Sequence, residues 1–550
     1  MSHSFKLTLI VVSVLVGLSF LPRAGVGKKP LKKVNILSEL FSNDYLYDGD
    51  ADAYFDTAFL ARLLDAVPVD TVDVAEAAPL DQTWALGSSK PVESAVTDIS
   101  QIDTSKVISI EDFGNDGRAM AAFYRALDER GRNGLVRIAV LGDSFIEGDI
   151  ITADLREQLQ DLYGGGGAGF VPFGSAVAKY RPTVTQTFDK WKIYDITNKK
   201  NNPEELSGKF FISGTLAIPQ EGAVTKITGS TYRKHIKSVS TARLLFINEK
   251  NAVIDVTVND TLKQQFRPSP RSSVQQIALN GDIASLEIKI TDPDGFIGYG
   301  VMLEDNTGLQ VDNYSVRGNS GLSLFDADAS IIRQINAITG YDLIILEYGL
   351  NVLSADVLEY GSFGAGLTGV IRYIQRCFPN ASILVMGVGD RSTMRDGEPV
   401  TMPSVSGMIR AQRKAAEDTG VAFWDTFRGM GGENSMVQFV EWNWAAKDYT
   451  HIGFPGGRYI ARELVKAIMK DKLQSGPSVR SLEPVADSIV VETVPAAVAD
   501  TVAVQAPDSL TLDAAPQAPP DSAATSAPAQ AVSGATVFSP VPNNQNDAER

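Results

Sequence analysis

The sequence predicts an α/β fold: a three-layer, doubly wound parallel sheet, interrupted by an all-β insertion and flanked by disordered segments. Short apolar runs alternate with helical patterns over residues 106–184 and 308–472, which indicates parallel strands covered by helices on both faces. Residues 185–307 instead hold β-branched runs broken by turn residues, most simply a β-sandwich. We therefore expect one α/β domain in two segments, with a β-rich domain inserted between them.

The predicted strands of the α/β domain are short and rich in Val, Ile and Leu, as is typical of strands buried on both faces. They lie at 137–141, 311–316, 343–347, 382–388 and 421–425. Helical patterns separate them, and in the second of these patterns the leucines fall on one face. The predicted helices are 117–130, 153–163, 326–338, 362–377, 404–418 and 456–471.

The first 27 residues have the pattern of an export signal. The apolar run 7–21 follows Lys6, and small residues come just before residue 28. An uncleaved segment that tethers the protein to a membrane through residues 7–21 is the alternative. We expect export to the periplasm or cell surface of a bacterium. Because Cys377 is the only cysteine, no intrachain disulfide can form, and we expect its thiol to be a buried apolar filler.

The flanks carry most of the net charge of −16. Residues 28–105 are predicted to be an acidic extension and linker, and residues 473–550 a disordered tail rich in Pro and Ala. No basic stripe with interleaved aromatic residues is present, so we expect no nucleic-acid partner. The stretch 48–52 is similar to the start of a calcium loop, but it lacks the required glycine and glutamate further on. No metal and no cofactor is predicted.

Ser144 is the candidate nucleophile. It ends Gly142-Asp143-Ser144, directly after a predicted buried strand, and open α/β sheets carry their chemistry at the carboxyl ends of strands. A serine needs a base to be activated. Asp143 is expected to brace this turn rather than to react.

The base is found by elimination among three histidines. His3 lies in the predicted export signal, and His235 lies in the β-rich insertion, where we expect it to be exposed. His451 is left as the base, and Asp448, three residues earlier, can hold its imidazole in the required tautomer.

An oxyanion needs hydrogen-bond donors close to the nucleophile. The backbone amide of Ser144 is one candidate. Gly318 follows the predicted strand 311–316, and Asn351 follows 343–347. All three therefore fall at carboxyl ends of strands, on one rim of the sheet, and we predict that they form the oxyanion hole.

Four further residues are candidate substrate contacts. Asp390 and Arg391 follow the predicted strand 382–388 and are expected to face the pocket. Trp442 and Trp444 come just before Asp448, and aromatic faces suit sugar rings. For both tryptophans, packing in the core is the favoured role, and contact with a sugar ring is the alternative.

These motifs resemble the four blocks of the GDSL or SGNH hydrolase family. In order, they are Gly142-Asp143-Ser144, Gly318, Gly349-Leu350-Asn351 and Asp448-Tyr449-Thr450-His451. Two departures are Phe145 where the family has leucine, and Val352 where an aspartate usually follows the asparagine. The resemblance covers 106–184 and 308–472, and it implies a flavodoxin-like three-layer fold.

Residues 142–172 are similar to the peptidoglycan O-acetylesterases of that family, which carry an inserted β-rich, carbohydrate-binding-like module. This resemblance implies a serine esterase that removes O-acetyl groups from a cell-wall or other polysaccharide through an acetyl-serine. A polysaccharide O-acetyltransferase and a non-catalytic glycan-binding envelope protein are the alternatives.

Overall fold

The structure is a computed structural model and describes residues 82–92, 102–131 and 133–475. The predicted export signal, the stretch similar to a calcium loop and the tail beyond residue 475 lie outside these residues. No helix within the described ranges has the length and apolar character needed to cross a membrane.

The strands of the described residues are β1 (Gln82–Ala85), β2 (Glu111–Asp112), β3 (Leu135–Gly142), β4 (Gly169–Pro172), β5 (Val184–Asp195), β6 (Thr215–Gly229), β7 (Val239–Asn248), β8 (Val253–Val258), β9 (Leu262–Phe266), β10 (Arg271–Ile283), β11 (Ser285–Asp292), β12 (Phe296–Glu304), β13 (Gly308–Ser315), β14 (Leu343–Glu347), β15 (Ser382–Met386), β16 (Ser392–Arg395), β17 (Glu398–Thr401) and β18 (Ala422–Trp424). The α-helices are α1 (Ala121–Arg130), α2 (Thr152–Tyr163), α3 (Ala329–Thr339), α4 (Gly361–Cys377), α5 (Val405–Thr419), α6 (Thr426–Met430), α7 (Ser435–Glu441) and α8 (Phe454–Gln474).

The α/β part is built on a six-stranded sheet in the order β13-β3-β14-β15-β18-β2. Its first five strands are parallel, and β2 pairs antiparallel to β18 at the edge. The five predicted strands are all present. They could be recognised as apolar runs because strands such as β14 and β15 are buried on both faces. The two-residue strand β2 is too short to leave a sequence pattern. Cys377 is buried at the end of α4, and burial raises the pKa of its thiol to about 12.

The β-rich insertion differs from the sandwich that the sequence predicts. Ten strands form one mixed sheet, with β1-β10-β7-β12-β6-β11-β8-β9 as its path. The strand β12 joins the two halves, since it pairs with β7 on one side and with β4 and β6 on the other. A register shift between Gly298 and Gly300 allows this double pairing, because a bulge bends the strand and increases its twist.

Residues on β12 are buried on both faces and contribute to two hydrophobic cores. Those in the core of the α/β part are Ile297, Tyr299 and Met302. Those in the core of the insertion are Phe296, Val301 and Leu303. The insertion is therefore packed against the α/β part along a shared strand.

Two strands of the inserted sheet come from outside residues 185–307. The strand β4 lies in the first α/β segment, and β1 lies in the predicted acidic linker, where it pairs parallel to β10. An ion pair of 2.7 Å between Lys90 and Asp305 fastens the segment after β1. Sequence patterning did not predict β1, because four residues with alternating exposure give no clear period.

Candidate active site

The structure brings Ser144, His451 and Asp448 together. Ser144 lies in the turn after β3, and the other two lie on the loop between α7 and α8. The Ser144 Oγ is 3.2 Å from His451 Nε2, and His451 Nδ1 is 2.7 Å from Asp448 Oδ2. An antiparallel bridge between Ala445 and Ile452 closes the loop.

Asp448 is fixed by three hydrogen bonds. Besides the hydrogen bond from the imidazole, its carboxylate accepts hydrogen bonds from the backbone amides of Thr450 and His451, each at 3.0 Å. Burial acts to raise the pKa of Asp448, but the hydrogen bonds from His451 and Thr450 outweigh it and lower that pKa to about 2. The carboxylate is therefore ionised at neutral pH. With Nδ1 donating to it, the Nε2 of His451 is the nitrogen that can accept the serine proton.

The backbone amides of Ser144 and Gly318 are available as oxyanion donors. Neither amide donates a hydrogen bond to another of the described residues. Gly318 has a φ of +76°, which favours glycine, and no atom lies within 4 Å of where a Cβ would project. The space beside Gly318 is therefore open, with no atom of the described residues in the Cβ direction.

The Asn351 side chain is close to the same turn, but its amide is already engaged. Its Nδ2 donates to Asp143 Oδ2 at 2.7 Å and to the carbonyl oxygen of Asn319 at 3.1 Å. To stabilise an oxyanion, Asn351 would have to share one of these hydrogens. Its orientation therefore depends on the carboxylate that holds it.

Asp143 links the nucleophile turn to Asn351. It is fully buried and also accepts the Phe145 amide at 2.8 Å. Burial raises the pKa of Asp143 to about 7, against the lowering effect of these hydrogen bonds and of His451. Glu347, whose backbone pairs with Gly142, is also buried, and burial together with Asp143 holds its pKa well above the ordinary value. Sequence reasoning missed Glu347, because it read as one residue of an apolar strand.

Asp390 does not face the pocket as we expected. Its carboxylate is buried, accepts the Met436 amide at the start of α7 at 2.8 Å, and also binds the hydroxyls of Thr401 and Ser435. Its place is structural, since it satisfies donors at the beginning of a helix. The prediction that Asp390 contacts substrate is therefore replaced by a helix-capping role.

Asp390→Ala is expected to lower the free energy of unfolding by about 1–3 kcal/mol, because buried donors at α7 lose their acceptor. Urea unfolding of the full chain measures this change. Hydrolysis of a small acetyl ester by the folded fraction should be unchanged. A loss of activity without a loss of stability would contradict the capping role.

Arg391 holds the backbone of the turn that carries Asn351. Its Nη1 donates to the carbonyl oxygens of Leu350 and Leu353 at 3.2 and 3.3 Å. In the structure, Arg391 thus contacts the backbone next to the candidate site. A contact to substrate stays a prediction.

The two tryptophans differ in their surroundings. Trp442 is 47% exposed, whereas Trp444 packs against the rings of Phe439 and Tyr459. The centroids of the two indole rings are 4.8 Å apart, in an edge-to-face arrangement. Trp442 also stacks on Phe439, with 6.5 Å between ring centroids, and keeps about half of its surface exposed on the loop that leads to Asp448, while the half-buried Trp444 packs beside it.

His235 is buried, contrary to our expectation of an exposed side chain. Its Nε2 is 2.8 Å from Asp161 on α2, and its exposed fraction is 6%. The neighbouring basic residues suggested an exposed segment, but they form ion pairs with acidic residues of α2. Across the described ranges, no group of three or more His, Cys, Asp or Glu side chains is placed to hold a metal ion.

Comparisons with known proteins bear on the fold. No family model matches the chain, and no curated protein does. A solved peptidoglycan O-acetylesterase matches 66% of this chain and 99% of its own, with 23% identity and a TM-score of 0.54. A family two carbohydrate esterase from Cellvibrio japonicus (11% identity, 55% of this chain and 97% of its own) and the acetylxylan esterase Axe2 from Geobacillus stearothermophilus (18% identity, 30% and 73%) each reach a TM-score of only 0.22. Over the matched 66% of its residues, the chain therefore shares the fold of the peptidoglycan O-acetylesterase.

Proposed function

We propose that this protein is an exported serine esterase that removes O-acetyl groups from a cell-wall or other polysaccharide. The observation that carries the proposal is the hydrogen-bonded chain from Ser144 through His451 to Asp448. It contains a nucleophile, a base and a group that orients the base, as acyl transfer through serine requires. The fold shared with a peptidoglycan O-acetylesterase supports the choice of an acetyl ester.

In the first half-reaction, the Ser144 Oγ attacks the acetyl carbonyl carbon while His451 Nε2 takes its proton. The carbonyl oxygen becomes an oxyanion beside the amides of Ser144 and Gly318. The tetrahedral intermediate then expels the sugar oxygen, which takes the proton back from the imidazolium. The products of this half are an acetyl-serine and a free sugar hydroxyl.

In the second half-reaction, water gives a proton to His451 and attacks the acetyl-serine. Collapse of the second tetrahedral intermediate returns the proton to Ser144 and releases acetate. The side chains of His451 and Asp448 are 25% and 38% exposed, so water can reach the base. This access favours hydrolysis over transfer of the acetyl group to a second sugar, which would need a site closed to water.

Trp442 supports a carbohydrate as the alcohol part of the ester. Its exposed ring lies on the loop that carries the base, and aromatic rings pack against the C–H faces of sugars while leaving their hydroxyls in water.

The test is acetate release from isolated, O-acetylated cell wall and from O-acetylated xylan by the full chain and by Ser144→Ala. Wild type should release acetate from at least one of the two, and Ser144→Ala should release none above background. Product analysis with an added deacetylated oligosaccharide would detect acetyl transfer. Equal acetate release by wild type and Ser144→Ala would contradict the proposal.

A further inference from the structure

A cavity of about 200 Å³ lies between the α/β part and the inserted sheet. On one side it is lined by residues 313–317 at the end of β13 and by 147–149 in the turn after the nucleophile. On the other side it is lined by Gln186 and Ile193 of β5 and by Thr215 of β6. Its volume is several times the roughly 30 Å³ of one water in the liquid, so it suits one small ring.

Two residues that line the cavity are close along the chain to the candidate catalytic residues. Arg317 lines it and directly precedes Gly318, while Glu147 lines it three residues after Ser144. Arg317 and Glu147 form an ion pair through Nη2 of the guanidinium. The amide of Val316 donates to the Gly142 carbonyl at 3.0 Å, which fixes the end of β13 to the strand that leads to the nucleophile.

The charged side chains of Glu147, Asp149, Arg181 and Arg317 that line the cavity are paired within the protein, and the carboxylate of Asp195 accepts hydrogen bonds from the amide and hydroxyl of Thr197. Asp149 is fully buried, and Arg181 binds it at 2.9 Å, with Arg156 at 3.5 Å. The other two nitrogens of Arg181 donate to the carbonyl oxygens of Phe170 and Ala168, each at 2.8 Å. Burial acts to raise the pKa of Asp149, but the two arginines hold it below its ordinary range. The cavity therefore favours a neutral ligand over an ion.

Polar groups with spare capacity remain beside apolar faces. Gln186 is 7% exposed and donates its amide to the Pro172 carbonyl at 2.6 Å, and its side-chain oxygen accepts no hydrogen bond from the described residues. Ser213 donates its hydroxyl to a main-chain carbonyl and keeps lone pairs for a ligand. Ile193 and Tyr314 contribute apolar surface. A sugar ring has C–H faces surrounded by hydroxyl donors. A site that offers apolar surface with hydrogen-bond acceptors at its edge therefore suits such a ring.

We infer that this cavity binds one sugar residue of the glycan, next to the residue that carries the acetyl ester. The inference rests on the proposed esterase function, because that function supplies the ester beside Ser144. The inserted sheet then forms one wall of the substrate site. A substrate with a neighbouring sugar should be preferred to a small acetyl ester.

Gln186→Met tests this, because it keeps the side-chain volume and removes both polar atoms. The matched control is Gln375→Met on α4, where the side chain likewise donates to a main-chain carbonyl, that of Thr419 at 3.0 Å. The substrates are 4-nitrophenyl acetate, O-acetylated peptidoglycan fragments and O-acetylated xylo-oligosaccharides. We expect Gln186→Met to lower kcat/KM on an accepted glycan by about threefold to tenfold through KM. Its rate on 4-nitrophenyl acetate, and every rate of Gln375→Met, should match wild type.

Ala176→Trp is a second variant, since Ala176 is exposed and lines the same cavity, so a large side chain can enter without displacing the core. It should lower kcat/KM on glycans while sparing 4-nitrophenyl acetate. If wild type deacetylates a glycan and both variants do so equally well, the cavity inference is overturned and the esterase function stands. If wild type hydrolyses 4-nitrophenyl acetate but no glycan, the sugar ligand and the proposed substrate class both fail. If wild type hydrolyses no ester, the proposed function itself fails.

Discussion

His451→Gln is expected to reduce acetate release by about 10⁴-fold or more, because Ser144 loses the only base placed within hydrogen-bond reach in the described structure. Glutamine cannot take the serine proton, although it retains a polar side chain. The decrease should be in kcat, since the base acts on the reacting atoms rather than on substrate binding. Steady-state hydrolysis of 4-nitrophenyl acetate and acetate release from cell wall both measure it.

The chain offers a matched control in His235→Gln. The imidazole of His235 is also hydrogen-bonded to an aspartate, at 2.8 Å against 2.7 Å for the His451 pair, but His235 lies in the turn between β6 and β7, against α2. This variant should keep wild-type kcat and lose about 1–3 kcal/mol of unfolding free energy, because a buried hydrogen bond is removed. Full activity of His451→Gln, or equal inactivation of both folded variants, would contradict the assignment of the base.

Asn351→Ala should lower kcat by about 10²–10³, the cost of losing one oxyanion donor. The structure adds a second reason for a lower kcat, since the Asn351 amide also donates a hydrogen bond to the buried carboxylate of Asp143. Removing it leaves that carboxylate with one donor fewer beneath the nucleophile turn. KM on the small ester should change little, because the donor acts in the transition state.

Asn259→Ala is the control for this second variant. Asn259 donates its side-chain amide to the Asp282 carbonyl at 2.8 Å in a turn of the inserted sheet, far along the chain from the nucleophile. Its activity on the small ester should equal that of wild type. A wild-type kcat for Asn351→Ala would remove Asn351 from the oxyanion hole and leave the backbone amides of Ser144 and Gly318.

The parallel sheet could be predicted because its strands are buried on both faces. The run 343–347 was predicted with the bounds that β14 has, since Leu343-Ile-Ile-Leu-Glu is apolar almost throughout and bounded by turn residues. The positions of Ser144 and His451 followed from strand ends and from the scarcity of histidine. Neither step needed knowledge of tertiary contacts.

The inserted sheet and the surroundings of the site could not be predicted in the same way. Strand order depends on long-range pairing, and the double pairing of β12 through its bulge leaves no period in the sequence. Asp390 read as a residue at a strand end, but its partners on α7 decide its role. The ion pair of Arg317 with Glu147 likewise joins residues 170 positions apart.

The strand shared by the two cores has a consequence for how the molecule can be divided. Since alternate side chains of β12 fill both interiors, excising the insertion would strip one wall from the interior of the α/β part. The insertion is thus not a detachable accessory, and the two halves should melt cooperatively as a single thermodynamic unit.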